Sequence, residues 1–140
     1  MSSTLTVTNL TTTNVTATNL TDGAGTTSTF ANVASGTAKA WVNFNGTGTI
    51  AARDSFNVAS LTDNGTGNHN MNFTNNMGNS DYSTGGSSAD SARYSINHMP
   101  SSNRSTTSLK TQPLYAASFA GGGTVHDASD NCLQVFGDLA

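Results

Sequence analysis

A shortage of residues that can form a hydrophobic core limits what this chain can fold into. Leu, Ile, Val and Phe together account for 23 of the 140 residues, which is little for a chain of single-domain size. The formal net charge is only −3, and Thr, Ser, Asn and Gly make up the polar residues. These residues suit strand surfaces and turns, whereas disorder is typical of chains with high net charge. The sequence therefore predicts a folded protein with a small core.

A small core needs support from disulfides, metals or other chains. Cys132 is the single cysteine, so an intrachain disulfide is impossible, and no Cys/His spacing resembles a zinc site. We expect neither a metal nor a cofactor. Burial against further copies of the chain remains, because two or three thin cores can combine into one. The sequence predicts a homo-oligomer, and we expect a homotrimer.

Charge and hydropathy exclude several classes of partner. Charged residues make up 9% of the chain, none of them Glu, so few phosphates could be neutralised and no nucleic-acid role is expected. No stretch approaches the roughly 20 apolar residues that cross a bilayer, and the start MSSTLTVTNL lacks a signal-peptide pattern. We expect synthesis in a cytoplasm without membrane insertion. The scarcity of good helix formers favours β-structure.

Residues 5–20, LTVTNLTTTNVTATNL, contain a five-residue repeat with Asn at positions 9, 14 and 19. A period of five fits neither a helix nor a flat strand. It indicates a repeatedly turning β path that winds around neighbouring chains, and the alternative is a Thr-rich disordered tail. The residues expected to line an oligomer axis or to anchor the chain are Leu5, Val7, Leu10, Val15 and Leu20.

Two hairpins are predicted after residue 37. Alternation in AKAWVNFNGTGTI places Ala40, Val42 and Phe44 on one face before an Asn45-Gly46 turn. SFNVASL then places Phe56 and Val58 on one face, and the run DNGTG from 63 to 67 turns the chain toward Met71 and Phe73.

The rest of the chain is predicted to hold loops and closing strands. Residues 75–112 are interpreted as surface loop with one or two strands, followed by LYAASF after Pro113 and the terminal strand CLQVFGDLA, with Leu133 and Val135 on one side. The predicted fold is all-β: an extended Thr/Asn-rich N-terminal segment over 1–36, then a small antiparallel β-sandwich of about seven strands over 37–140.

Residue types that carry chemistry are present but scattered. His69, His98 and His126 lie in different segments, and the spacing of Asp127, Asp130 and Asp138 does not match a calcium-binding EF-hand loop. Cys132, between apolar residues, is expected to behave as a small buried hydrophobe. No catalytic motif is present. The remaining candidates are tyrosines, which contact sugars and proteins at loop tips; Tyr82 and Tyr94 are the proposed receptor contacts, with Tyr115 nearby, and half-buried strand positions are the alternative.

Residues 38–73, AKAWVNFNGTGTIAARDSFNVASLTDNGTGNHNMNF, and the ending VFGDLA resemble β-domains of tail-fibre and other virion structural proteins of tailed bacteriophages, including marine cyanophages. The most specific parts are AKAWVNFNGTG and the RDSFNV…LTDNGTG hairpin. The resemblance implies a trimeric, surface-exposed virion component without catalytic residues. Tail fibres are commonly much longer than this chain, which leaves a short head appendage or a capsid decoration protein open.

Three functions follow for comparison. The first is a non-enzymatic structural protein of the virion surface, such as a short fibre, knob or decoration protein, anchored to capsid or tail proteins by its N-terminal segment. The second is a receptor-binding tail-fibre tip that recognises a glycan or protein on the host cell surface. The third is a depolymerase, whose paired carboxylates would have to come together in three dimensions.

Overall fold

A computed structural model describes residues 19–21, 25, 27–90, 95–99, 101–115 and 123–140. The chain divides into two units, Met1–Ala34 and Ser35–Ala140. In the first unit, strands β1 (Asn19–Thr21) and β2 (Thr27–Thr29) form an antiparallel hairpin. Helix α1 (Phe30–Gly36) follows and runs across the boundary between the units.

The second unit contains two antiparallel sheets. Sheet I has the strand order β4-β3-β11-β7, built from β3 (Ala40–Asn45), β4 (Ala51–Phe56), β7 (Ser83–Ala89) and β11 (Asp130–Phe136). Sheet II has the order β10-β9-β6-β5 with β8 also paired to β9, built from β5 (Val58–Asp63), β6 (His69–Phe73), β8 (Ser95–His98), β9 (Ser108–Tyr115) and β10 (Thr124–Val125). A short 3-10 helix covers Ser101–Asn103.

The core lies between the inner faces of these sheets. Period-two alternation buries every second side chain of β3, β6, β9 and β11. Val42 lies directly opposite Leu133 in sheet I, and Met71 lies opposite Leu109 in sheet II. The buried hydrophobic cluster comprises Ala40, Val42, Phe44, Met71, Phe73, Met77, Tyr82, Leu109, Leu133 and Val135. A single chain thus encloses a core, although it is small.

The two predicted hairpins are present, but the chain changes sheets between them. β3 pairs with β4 in sheet I, and β5 pairs with β6 in sheet II. Asn57 separates β4 from β5 with a φ of 56°, a left-handed conformation that Asn tolerates better than most residues. Its side-chain amide donates to the carbonyls of Lys39 (2.9 Å) and Asn75 (3.1 Å). The prediction of one strand with Phe56 and Val58 on a common face is wrong. At Asn57 the chain leaves sheet I and enters sheet II, so Phe56 and Val58 belong to different strands.

The interpretation of residues 75–112 as surface loop with one or two strands did not anticipate the central strand β9. β7 and β8 lie in this segment, and β9 begins in it. β9 is a central strand that buries Leu109, Thr111 and Pro113. The sequence did not indicate a central strand here because it contains Pro113, and proline is normally confined to sheet edges or bulges. Here β6 pairs with residues 108–111 and β8 pairs with 112–115, so Pro113 lies beyond the section that β6 bonds.

The coarse prediction of an all-β, antiparallel, sandwich-like fold is confirmed by the two sheets. The boundary between the units falls between Ala34 and Ser35, near the predicted change at residue 36. The homotrimer and the role of the N-terminal segment stay predictions.

Candidate interaction surface and buried histidine network

Most of the predicted anchoring residues lie outside the described part of the chain. This applies to Leu5, Val7, Leu10 and Val15, and also to the tyrosine candidate Tyr94. Leu20 belongs to β1, where its backbone lies opposite Ser28 in β2.

Tyr82 is buried, which corrects its prediction as a receptor contact. Only 2% of the residue is exposed, and its ring meets Phe73 edge-on with centroids 6.0 Å apart. The hydroxyl donates to the carbonyls of Ser105 and Ser108, both at 3.1 Å. Burial raises the pKa of this phenol, against weaker opposing effects of the Ser105 backbone and Arg104. Tyr82 fixes the 101–108 segment to the core and offers no surface for a receptor.

His126 lies at one end of a buried polar network that the sequence did not reveal. It is 5% exposed, and its Nε2 is 2.8 Å from the Ser95 hydroxyl. The Ser95 hydroxyl is also 2.8 Å from the hydroxyl of Ser88, which in turn donates to Asn131 Oδ1 at 3.3 Å. Ser88 and Asn131 belong to sheet I, whereas Ser95 belongs to sheet II. The network therefore connects the two sheets with hydrogen bonds.

The order of groups in this network is that of a serine nucleophile, a histidine base and a carboxylate. His126 Nδ1 faces Asp90 Oδ2 at 3.8 Å, which is beyond hydrogen-bond range. The Ser95 hydroxyl is engaged by Ser88 as well as by His126, and the Tyr115 ring stands edge-on to the imidazole at 5.1 Å. These contacts give a hydrogen-bond partner to the buried Nε2 of His126, whereas Nδ1 has none among the described residues.

His69 is the second buried histidine. It is 0% exposed, and neither ring nitrogen has a hydrogen-bond partner in the part of the chain that the structure describes. Nε2 lies 3.5 Å from Asp127 Oδ1. Burial lowers the pKa of His69, and this effect outweighs the opposing effects of Asp127, Asp63 and the Gly46 backbone. His69 is therefore expected to be neutral at pH 7. The sequence gives no sign of this pair, because His69 and Asp127 lie far apart in the chain.

Gly46 and Gly67 allow the backbone to close around these groups. A Cβ on Gly46 would lie 3.0 Å from His69 Cε1 and 2.9 Å from the Ala128 carbonyl. Gly67, with a φ of 61°, donates its amide to Asp127 Oδ1 at 2.7 Å. The turns after β3 and β5 thereby position Asp127 beside His69.

The described part of the chain holds no group of three or more His, Cys, Asp or Glu side chains that could bind a metal ion. His98 is exposed on β8. Asp130 pairs with Arg53 at 3.1 Å, while Asp127 contacts His69. Two of the three aspartates considered for calcium, Asp127 and Asp130, therefore have separate surroundings.

The outer face of sheet I carries the most distinctive exposed side chains. Phe56 is 52% exposed and lies directly opposite the half-buried Trp41. Trp41 lies opposite Gln134 on its other side, and a shallow groove runs between β3 and β11 along Ala38, Trp41, Asn43, Cys132 and Gln134. We call this face, comprising Trp41, Asn43, Asp54, Phe56, Cys132 and Gln134, the outer face of sheet I.

Cys132 lies on this outer face, which corrects the expectation that it is buried in the sheet interior. Leu133 and Val135 point into the core. Cys132 directly precedes Leu133 in the strand and therefore points the other way. It is partly exposed, and its Sγ accepts a hydrogen bond from Asn43 Nδ2 at 3.0 Å.

Arg53 links three strands across the outer face. Its Nη1 donates to Asn43 Oδ1 (3.0 Å) and to Asp130 Oδ1 (3.1 Å), and its Nη2 donates to the Ser129 carbonyl (2.6 Å). The Arg53 and Asp130 side chains are 48% and 51% exposed, so solvent screening limits the strength of this ion pair. The contacts nonetheless hold Arg53 against its own sheet.

No helix among the described residues has the length and apolar character to span a membrane. Comparison with known proteins found no matching family model, no similar curated protein and no similar solved structure. The functional argument therefore depends on the residues and the geometry of this chain alone.

Proposed function

We propose that this protein is a non-enzymatic structural component of a tailed-phage virion. It is displayed on the particle surface as a short fibre, knob or capsid decoration protein. Residues 1–36 attach it to other virion proteins, and the second unit points outward. The protein acts as a homo-oligomer, with the homotrimer as the expected form.

The observation that carries this proposal is the exposed surface that residues 38–73 present, in the segment for which the sequence suggests a resemblance to phage virion β-domains. Residues 38–73 form β3 to β6. β3 supplies Trp41, and β4, all six residues of which are exposed, supplies Phe56. Aromatic residues and Arg are enriched in protein–protein interfaces. The segment for which we propose the resemblance therefore also presents a surface suited to protein contact.

The buried histidines support a structural interpretation over a catalytic one. His126 connects the two sheets through Ser95 and Ser88, and His69 packs edge-on against Phe44 in the core. Both side chains have roles in folding that explain their burial. Catalysis by His126 would need Asp90 to orient it, and the separation of 3.8 Å does not provide that.

The alternative of a receptor-binding tip has lost one of its two proposed contacts, since Tyr82 is in the core. The other, Tyr94, lies outside the described residues. A depolymerase remains the third candidate, and clearing of host polysaccharide by the purified protein would identify it.

The test is incorporation into particles. Mass spectrometry of gradient-purified virions from the phage that encodes this chain should detect it at constant stoichiometry, and particles made without the gene should recover it when the purified protein is added. Hundreds of copies per particle would indicate capsid decoration, and a few dozen or fewer would indicate a tail position. Absence from purified virions would contradict the proposal.

A further inference from the structure

Strand β4 is an open edge of sheet I. All six of its residues are exposed, and among the described residues it pairs only with β3. The Ser55 amide donates to the Asp54 carboxylate at 2.8 Å, so this N–H points away from β3. Ser55 lies opposite Val42 and Ala52 lies opposite Phe44. Because Val42 and Phe44 are two residues apart, Ala52 also directs its backbone N–H and C=O away from β3, toward the open edge.

A β-bulge brings Arg53 and Asp54 to the same face of this edge. The register shifts between Asn43 and Phe44, which leaves Arg53 as the extra residue of β4. Phe56 and Asp54 lie opposite the outer-face residues Trp41 and Asn43, while Ser55 and Ala52 lie opposite the core residues Val42 and Phe44. In AARDSF, the side chains of Ala52 and Ser55 therefore lie on the core side of sheet I. The other four side chains lie on its outer face.

This pattern is complementary to itself when reversed. An antiparallel pairing centred between Arg53 and Asp54 places Arg53 opposite Asp54 of a second copy, Ala52 opposite Ser55 and Ala51 opposite Phe56. Each pair joins residues of the same face, as directly opposed residues in a sheet must. Ala52 and Ser55, whose backbone N–H and C=O groups point away from β3, form the hydrogen-bonded pair. A shift by one residue in either direction would oppose two arginines or two aspartates and mix the faces.

We propose that two copies of this chain pair through β4, antiparallel and about a two-fold axis between Arg53 and Asp54, and so join their copies of sheet I into one continuous sheet. The Ser55 amide exchanges the Asp54 carboxylate for the Ala52 carbonyl of the second copy. Phe56 of each copy covers Ala51 of the other. This contact does not depend on the proposed virion function.

Charges and bulges on an edge strand commonly prevent such pairing. Here the two charges have opposite signs and adjacent positions, so the pairing brings each next to its opposite. Arg53 uses three hydrogen bonds within its own sheet out of the five donors of a guanidinium. Donors therefore remain for Asp54 of the second copy. Directly opposed residues of two paired strands lie well within a screening length of about 10 Å at moderate salt.

The first test measures mass by light scattering over a range of concentrations, with the full chain. We expect a reversible doubling of mass that high salt weakens. Asp54→Arg places like charges opposite each other twice and should weaken the association about tenfold or more, whereas Asp81→Arg makes the same charge change on an exposed loop residue away from β4 and should have no effect. Thermal unfolding of both variants checks that the fold is intact.

The second test reads the register directly. Ala51→Cys and Phe56→Cys are made as separate chains on a Cys132→Ser background, and both sites are exposed. Mild oxidation should cross-link a mixture of the two chains but neither chain alone, because residue 51 meets residue 56 only across the pair.

Three outcomes would overturn the inference. They are a monomer at every concentration, an oligomer that Asp54→Arg weakens no more than Asp81→Arg does, and a cross-link that forms equally in one variant alone. If residues 1–36 also assemble three chains, β4 pairing doubles the mass of that trimer. A trimer that never doubles would then refute β4 pairing while leaving particle incorporation, and the proposed function, unaffected.

Discussion

The ring of Phe44 meets the ring of His69 edge-on, with centroids 5.6 Å apart and an interplanar angle of 76°. Phe44 comes from sheet I and His69 from sheet II, and both are 0% exposed. A titratable side chain thus occupies a position where an apolar residue would normally complete the core. The stability of the sandwich is therefore linked to the protonation of His69.

We predict that the protein loses stability as the pH falls below about 6.5, the ordinary histidine pKa. Burial lowers the pKa of His69 in the folded state, so the unfolded chain takes up the proton at a higher pH than the folded chain does. The contribution is complete above the unfolded pKa and is lost as the pH falls toward the folded pKa. Chemical denaturation between pH 8 and pH 5 measures this slope, which His69→Phe should reduce.

His98→Gln is the matched control for the pH experiment, because His98 is exposed on β8 and should leave the slope unchanged. An unaltered slope in His69→Phe would show that another group carries the pH dependence.

Phe44→Ala and Phe56→Ala should differ sharply, although both phenylalanines belong to the same hairpin. Phe44 is fully buried, whereas Phe56 is 52% exposed. Truncating a buried Phe costs about 3–5 kcal/mol, and truncating Phe56 should cost at most about 1 kcal/mol. The sequence pattern groups Phe56 with Val58 on one face, and the exposure of Phe56 corrects that grouping. Equal losses in the free energy of unfolding, measured with dilute protein, would contradict the assigned facing of β4.

The hairpins could be predicted because their signals are local. Asn45-Gly46 and the turn at 63–67 adjoin alternating strands, and the structure has β3–β4 and β5–β6 at these places. The change of sheet at Asn57 could not be predicted, because the pattern around it continues smoothly while the left-handed φ and the bonds to Lys39 and Asn75 depend on the tertiary fold.

The buried polar residues show the same limit. His69 and Asp127, or Ser88 and His126, come together from distant parts of the chain, and no spacing in the sequence marks such pairs. The Asn, Ser and Gly residues around Tyr82 favour a surface position as a receptor contact, with a half-buried strand position as the alternative. Its burial follows from packing against Phe73 in β6.

Tyr82→Phe should lower the free energy of unfolding by about 1 kcal/mol, since one hydroxyl is lost that donates to two carbonyls. The ring remains and keeps the contact with Phe73. Attachment to host cells or particles should not change at temperatures where the variant is folded. A loss of host binding with unchanged stability would instead restore Tyr82 as a receptor contact.

His126→Ala and Cys132→Ser should separate as well. His126 is buried and bonded to Ser95, so its removal leaves Ser95 with one partner fewer and opens a cavity, at roughly 1–3 kcal/mol. Cys132 is partly exposed and accepts one weak bond from Asn43, so serine should cost less than about 0.5 kcal/mol. Denaturation midpoints distinguish the two, and a neutral His126→Ala would show that the network adds no stability.

Deleting residues 1–35 should leave a folded second unit that no longer joins the particle. The boundary between the units lies between Ala34 and Ser35, and every residue of the hydrophobic core cluster lies beyond it. Folding is checked by cooperative thermal unfolding of the shortened chain. Attachment is measured by adding tagged protein to particles that lack the native protein, followed by gradient purification and blotting.

A triple change of Leu10, Val15 and Leu20 to Ser should reproduce the deletion in full-length protein, because each buried aliphatic side chain contributes roughly 1.5–3 kcal/mol. The control changes Thr11, Thr16 and Thr21 to Ser, which alters the same repeat without removing its large apolar residues. If the shortened chain joined particles as well as the full chain does, the attachment surface would belong to the second unit, and the half-buried Trp41 with the exposed Phe56 on the outer face of sheet I would be the first place to look for it.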